Sequence, residues 1–170
     1  MNPRAESADL AVVPMLFPVA ITAGDNSGDE NTGTPVSITY FGSVAPGGVP
    51  ASALLSICGT FNIADSETGT LAAKLQESAD GTTWTDVPDT EVEETYDGPA
   101  TDRAMVLEIP FKPSGLLGLF RVSATATLSH DPGEEDEPDT AMIMAAAAFN
   151  GFGIQPAPSL AGLFNAPPED

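Results

Sequence analysis

The amino-acid sequence predicts an all-β protein: a single antiparallel β-sandwich, jelly-roll-like, with extended N- and C-terminal arms. Three features point there. Apolar residues recur at every second position in several runs, the spacing that places them on one face of a strand. Clusters of Gly, Pro, Asp and Asn separate the runs and favour turns. The chain has 170 residues, enough for one ordinary domain, which at that size buries about 70% of the surface its unfolded form exposes. The boundaries expected are an arm over residues 1–34, a sandwich over 35–151 and a second arm over 152–170.

In the first 34 residues, Val12, Val13, Leu16, Phe17, Val19 and Ile21 are interleaved with Pro14 and Pro18 and keep no sustained period. An extended arm lying on a partner, the reading behind the domain boundary, competes here with an edge strand packed on its own domain. Asp25 to Gly33 reads as a polar loop. It is not a calcium loop, because Glu30 stands at the sixth position where an EF-hand requires Gly, and no Glu stands at the twelfth. Val36, Ile38 and Tyr40 alternate as a strand, Ala45 to Pro50 forms a turn, and Leu55, Ile57, Phe61 and Ile63 define a longer strand. Gly59 within it suggests a bulge. Cys58, the lone cysteine, reads as a small buried hydrophobe with no basic neighbour to activate it.

Leu71 to Val87 is the clearest hairpin. Leu71, Ala73 and Leu75 share a face, Ser78 to Gly81 supplies the turn with Gly81 in the left-handed region, and Thr82 to Val87 is the returning strand. Trp84 is expected to cover one end of the core. Pro88 to Asp102 reads as an acidic solvated loop. Met105, Leu107, Ile109 and Phe111 then resume the alternation, Lys112 to Gly118 turns, and Phe120, Val122, Ala124, Ala126 and Leu128 line the apolar face of another strand. His130 to Asp139 reads as a second acidic loop. In Thr140 to Phe149 the Met and Ala content favours a helix, but the run is short and apolar all round, so a buried last strand is expected. Four prolines punctuate the tail, with Leu160, Leu163 and Phe164 between them.

Charge narrows the function classes. Twenty-five Asp and Glu oppose five basic residues, Arg4, Lys74, Arg103, Lys112 and Arg121, for a formal net charge of −20. A nucleic-acid partner needs a basic stripe, and these five are dispersed. No apolar run reaches the roughly 20 residues that span a bilayer, and Leu10 to Ile21 is broken by two prolines, so neither a membrane partner nor a signal peptide is expected. Synthesis in a cytoplasm follows as the expectation, and so large an acid excess also suits a salty setting. An enzyme is not expected, nor a cofactor or metal. His130 is the only histidine, and the contiguous Ser129-His130-Asp131 cannot make a triad because neighbours on a strand point to opposite faces. Zinc lacks its Cys and His ligands.

The run Leu75-Gln76-Glu77-Ser78-Ala79-Asp80-Gly81-Thr82-Thr83-Trp84-Thr85-Asp86-Val87 resembles a phrase of small structural proteins of tailed bacteriophages, in which an LQ-x-S strand meets a DG turn and an aromatic-x-D-V strand. Phe120-Arg121-Val122 is similar to their aromatic-Arg-Val strand, and Ala141 to Phe149 sits where their last apolar strand would be. Leu75, Asp80, Gly81, Trp84 and Arg121 are thereby fold-defining residues. The resemblance covers roughly Pro35 to Gly151 and implies a capsid decoration, or cement, protein on the outer surface of a phage head. Its partners would be the major capsid protein and itself, as a homotrimer. Val12, Leu16, Phe17, Ile21, Leu160, Leu163 and Phe164 are the candidate contacts under that expectation. Two rivals stay open: a tail or receptor-binding protein that stacks a host glycan on Trp84, and an acidic secreted hydrolase built on carboxylate pairs.

Overall fold

The computed structural model describes residues 10–38, 49–129 and 139–151. Its strands are β1 (Leu10–Thr22), β2 (Glu30–Thr32), β3 (Val36–Ser37), β4 (Ser52–Ile63), β5 (Thr68–Ser78), β6 (Thr85–Asp86), β7 (Val92–Asp97), β8 (Ala100–Phe111), β9 (Leu119–Leu128) and β10 (Thr140–Asn150). They form two antiparallel sheets. One has the order β1-β10-β4-β8; in the other, β2 and β3 lie along one side of β9, β5 lies along its other side, and β6 and β7 pair with β5.

The pairing is nested. β1 pairs with β10, β2 and β3 with β9, β4 with β8, and β5 with β6 and β7, so the first half of the chain runs antiparallel to the second. A long two-stranded ribbon is thus folded over into two sheets, which is the jelly-roll arrangement. Its turnaround is the hairpin read from Leu71 to Val87.

Alternation explains why these strands close a core. Along β4, β9 and β10, and along β8 from Met105, every second residue is buried, and Leu55, Ile57, Phe61, Leu71, Leu75, Ile109, Phe120, Val122, Ile143 and Phe149 are almost wholly so. Phe111, Phe120 and Phe149 meet with ring centroids 5.5–6.1 Å apart, tilted or edge-on, the geometry aromatic pairs favour. Phe61 requires two glycines. A Cβ on Gly59 would lie 2.5 Å from its ring, and one on Gly69 would lie 3.0 Å from it.

Several expectations change. Residues 10–22 are not an arm but the edge strand β1, in ten-residue register with β10, because Val13, Met15 and Ile21 have an apolar interior to enter. The sandwich therefore begins at β1, and residues 1–9 lie outside the described residues. Glu30–Thr32, read as loop, pairs with β9, and the acidic loop before Asp102 contains β7 and the start of β8. Of the returning hairpin strand, Thr85–Asp86 pairs with β5 and Val87 N–H adds a bond to the Leu75 carbonyl at 2.9 Å, so the turn before Thr85 is longer than expected. Gly59 makes no bulge: register runs unbroken through it on both sides, and its role is room for Phe61. Cys58 is half-buried on the outer side of β4. The expected last strand exists as β10, buried on one side only. Tyr40, the second arm and all but the last residue of the His130 to Asp139 loop lie outside the described residues. Asp139 itself is buried, and its Oδ1 accepts the Ala64 N–H at 2.7 Å.

Candidate functional site

The fold-defining residues cluster on the β2-β3-β9-β5 sheet. Leu75 is wholly buried. Asp80 holds the hairpin loop together: one carboxylate oxygen accepts the N–H of Thr82 and of Thr83, both at 2.8 Å, and the Ser78 hydroxyl at 3.0 Å. The Thr83 and Thr82 backbone donors hold the Asp80 carboxyl well below the usual carboxylate range. Gly81 takes φ +76°, as a left-handed turn position requires.

Trp84 does not cap the core. It lies on the outer side of this sheet, with the Arg121 guanidinium 4.2 Å above its ring. From there a polar ladder crosses the strands. Arg121 Nε donates to Gln76 Oε1 at 2.9 Å, Gln76 Nε2 donates to Asp86 Oδ1 at 2.9 Å, and Lys74 Nζ pairs with Asp86 Oδ2 at 2.8 Å. That last bond raises the Lys74 pKa and lowers that of Asp86. Ser123 donates to Glu30 beside a depression of about 250 Å³ lined by Ala72, Ala73, Lys74, Glu91 and Thr125. Most of these polar groups are satisfied by one another, and this arrangement leaves neither an activated nucleophile nor a poised base. Among the described residues no cluster of His, Cys, Asp or Glu could hold a metal ion, and no helix is long and apolar enough to cross a membrane.

The outer face of the other sheet is built differently. β10 presents Met142, Met144, Ala146 and Ala148 outward, flanked in register by Leu54, Ser56, Cys58 and Thr60 of β4, and beyond them by Ala104, Val106, Glu108 and Pro110 of β8. On the other side β1 exposes Val12, Pro14, Phe17, Pro18 and Ala20. Five of the six exposed large hydrophobics of the described residues are here: Phe17 (61% exposed), Val106 (53%), Val12 and Met142 (47%), and Met144 (43%). Glu108 is the one acid among these outward positions, in a chain with 25. Four strands about 4.8 Å apart and seven to ten residues at about 3.3 Å give a face of roughly 445–635 Å². A mainly apolar face of that extent is at the upper end of what a monomer ordinarily exposes, and such patches are often functional.

The candidate contacts separate accordingly. Val12 and Phe17 lie on this face, whereas Leu16 and Ile21 are buried in the chain's own core. The two register shifts in β1, between Pro14 and Leu16 and between Leu16 and Val19, produce that division by turning both Met15 and Leu16 inward. Leu160, Leu163 and Phe164 lie outside the described residues. Sequence reading missed the outward residues of β4, β8 and β10. The clue was available in Ala141 to Phe149, whose all-round apolarity left no polar side for solvent.

No family model and no curated protein matches the chain. Among solved structures it is similar to the exported protein XepA of PBSX (13% identity, TM-score 0.43), covering 85% of this chain and 38% of that one. It is similar to a chain of the Triatoma virus empty capsid (12% identity, TM-score 0.46; 94% and 99% covered). A third similarity is to the C-terminal family 22 carbohydrate-binding module of Clostridium thermocellum Xyn10B (14% identity, TM-score 0.38; 86% and 88% covered). The chain spans about a third of the XepA and infectious bursal disease virus proteins it matches. None of these likenesses carries a function to this chain.

Proposed function

We propose that the chain is a structural protein of a virus particle, a decoration protein that docks on the outer surface of a tailed-phage head and binds its major capsid protein. The observation that carries this is the β1-β10-β4-β8 outer face, apolar and nearly free of acids on a chain of net charge −20. The phage-like phrase around Leu75 to Val87 supports the kind of particle. Covering about 600 Å² at about 25 cal/mol per Å² gives a gross gain near 15 kcal/mol, from which association subtracts about 4–15 kcal/mol. Docking across a boundary between capsid subunits would make that net gain oppose their separation. The remaining acidic surface would keep decorated particles apart in solution. A homotrimer around a lattice junction is the arrangement the resemblance implies.

Glycan stacking has less support, because one face of Trp84 is occupied by Arg121. The test is to add purified protein to heads that lack it. Extra density on the outer lattice and greater heat resistance are expected, with occupancy reduced at least tenfold in Val106→Glu. Bare heads after incubation with folded wild-type protein would exclude the proposal.

A further inference from the structure

We infer that two copies of the chain pair in solution, face to face through the outer surface of the β1-β10-β4-β8 sheet, about a twofold axis crossing the strands at Ala145. A twofold interface must be complementary to itself, since one patch meets its own copy. The outward residues of the central strand β10 meet that condition. Met142 and Met144 form a ridge on one side of Ala145, and Ala146 and Ala148 leave a trough on the other. Rotation by half a turn lays each ridge in the partner's trough, Met144 over Ala146 and Met142 over Ala148.

The flanking strands repeat the pattern in register. Val12 is level with Ala148 and Ala20 with Met142, so the larger side chain of one copy comes over the smaller of the other. Charge is tolerated at one position only: Glu108, level with Ser56 and Ala146, lies on the outermost strand β8, where its carboxylate can stay in water at the rim, about 7 Å along the strand from the partner's copy. Elsewhere a chain of net charge −20 would set acid against acid. Two twisted sheets stack with strands within about 30° of one another. Two faces of roughly 445–635 Å² bury about 900–1,250 Å² in total, a range that reaches the approximately 1,000 Å² of a specific interface at its middle.

This goes beyond the virion proposal and concerns the free chain: the pair covers the face a head would occupy, so it must part before the chain docks, and the two readings are tested separately. Sedimentation of the full chain over micromolar concentrations should give twice the monomer mass. Met144→Glu should reduce that to one chain, Ala146→Met should weaken pairing at least tenfold by filling the trough without adding charge, and Leu117→Glu, exposed but off this face, should leave it intact. Alkylation of Cys58, the only thiol, should slow as concentration rises in the wild type and not in Met144→Glu. One-chain mass throughout, three chains, or a pair that survives both β10 substitutions would overturn the inference. Pairing without attachment to heads would leave it standing and remove the proposed function, and attachment by a chain that never pairs would do the reverse.

Discussion

Removing residues 1–23 tests whether the N-terminal segment is strand or arm. An arm could be deleted with the domain intact, whereas β1 contributes Val13, Met15, Leu16 and Ile21 to the core, each between 0% and 7% exposed. Burying such a side chain is worth about 1.5–3 kcal/mol, so the four together represent about 6–12 kcal/mol. Domains of ordinary stability have about 5–15 kcal/mol in total. The truncated chain should therefore lack a cooperative thermal transition by circular dichroism and should bind a hydrophobic dye. A 24–170 chain that melts cooperatively within a few degrees of the full chain would refute the reasoning.

Gly59→Ala should cost about 1–3 kcal/mol by pushing the Phe61 ring against Gly69, lowering the melting temperature by about 2–12 °C. Phe149→Ala should cost about 3–5 kcal/mol by opening the space between Phe111 and Phe120, measurable by urea titration. Asp80 has a lowered carboxyl pKa in the folded chain. Its contribution is therefore full above the unfolded value of about 3.9 and is lost as pH falls from there through the folded value. Asp80→Asn should accordingly be less stable than wild type at pH 6, with the difference shrinking toward pH 2, followed through the fluorescence of Trp84, the only tryptophan. An Asp80→Asn stability deficit that stays constant from pH 6 to pH 2 would remove the carboxylate from the loop's account.

Strands β4, β8 and β9 were legible because each has one side in the core and alternates accordingly. β1 was not, because its register shifts bring Met15 and Leu16 inward together and break the period of two that reveals a strand. β2 and β7 were missed for another reason. They lie at sheet margins and offer almost nothing apolar to the core: Glu30, Asn31 and Thr32 in the first, and only the half-buried Val92 and Tyr96 in the second. The position of Trp84 depended on Arg121, a partner on another strand that local reading cannot supply. The candidate face was hidden by an ambiguity of apolar runs. Met142 and Met144 look the same in sequence whether they enter a core or leave it, and only the sheet order places nothing above them among the described residues.

The two outer strands of that sheet, β1 and β8, carry Pro14, Pro18 and Pro110. A proline has no N–H to offer a newcomer strand, and the register shifts around Leu16 leave β1 irregular. Adhesion along the sheet normal is therefore uncoupled from growth in the sheet plane. A fibre grown by strand addition to this sheet requires the second, so the face can be apolar without the sheet's edges inviting such growth.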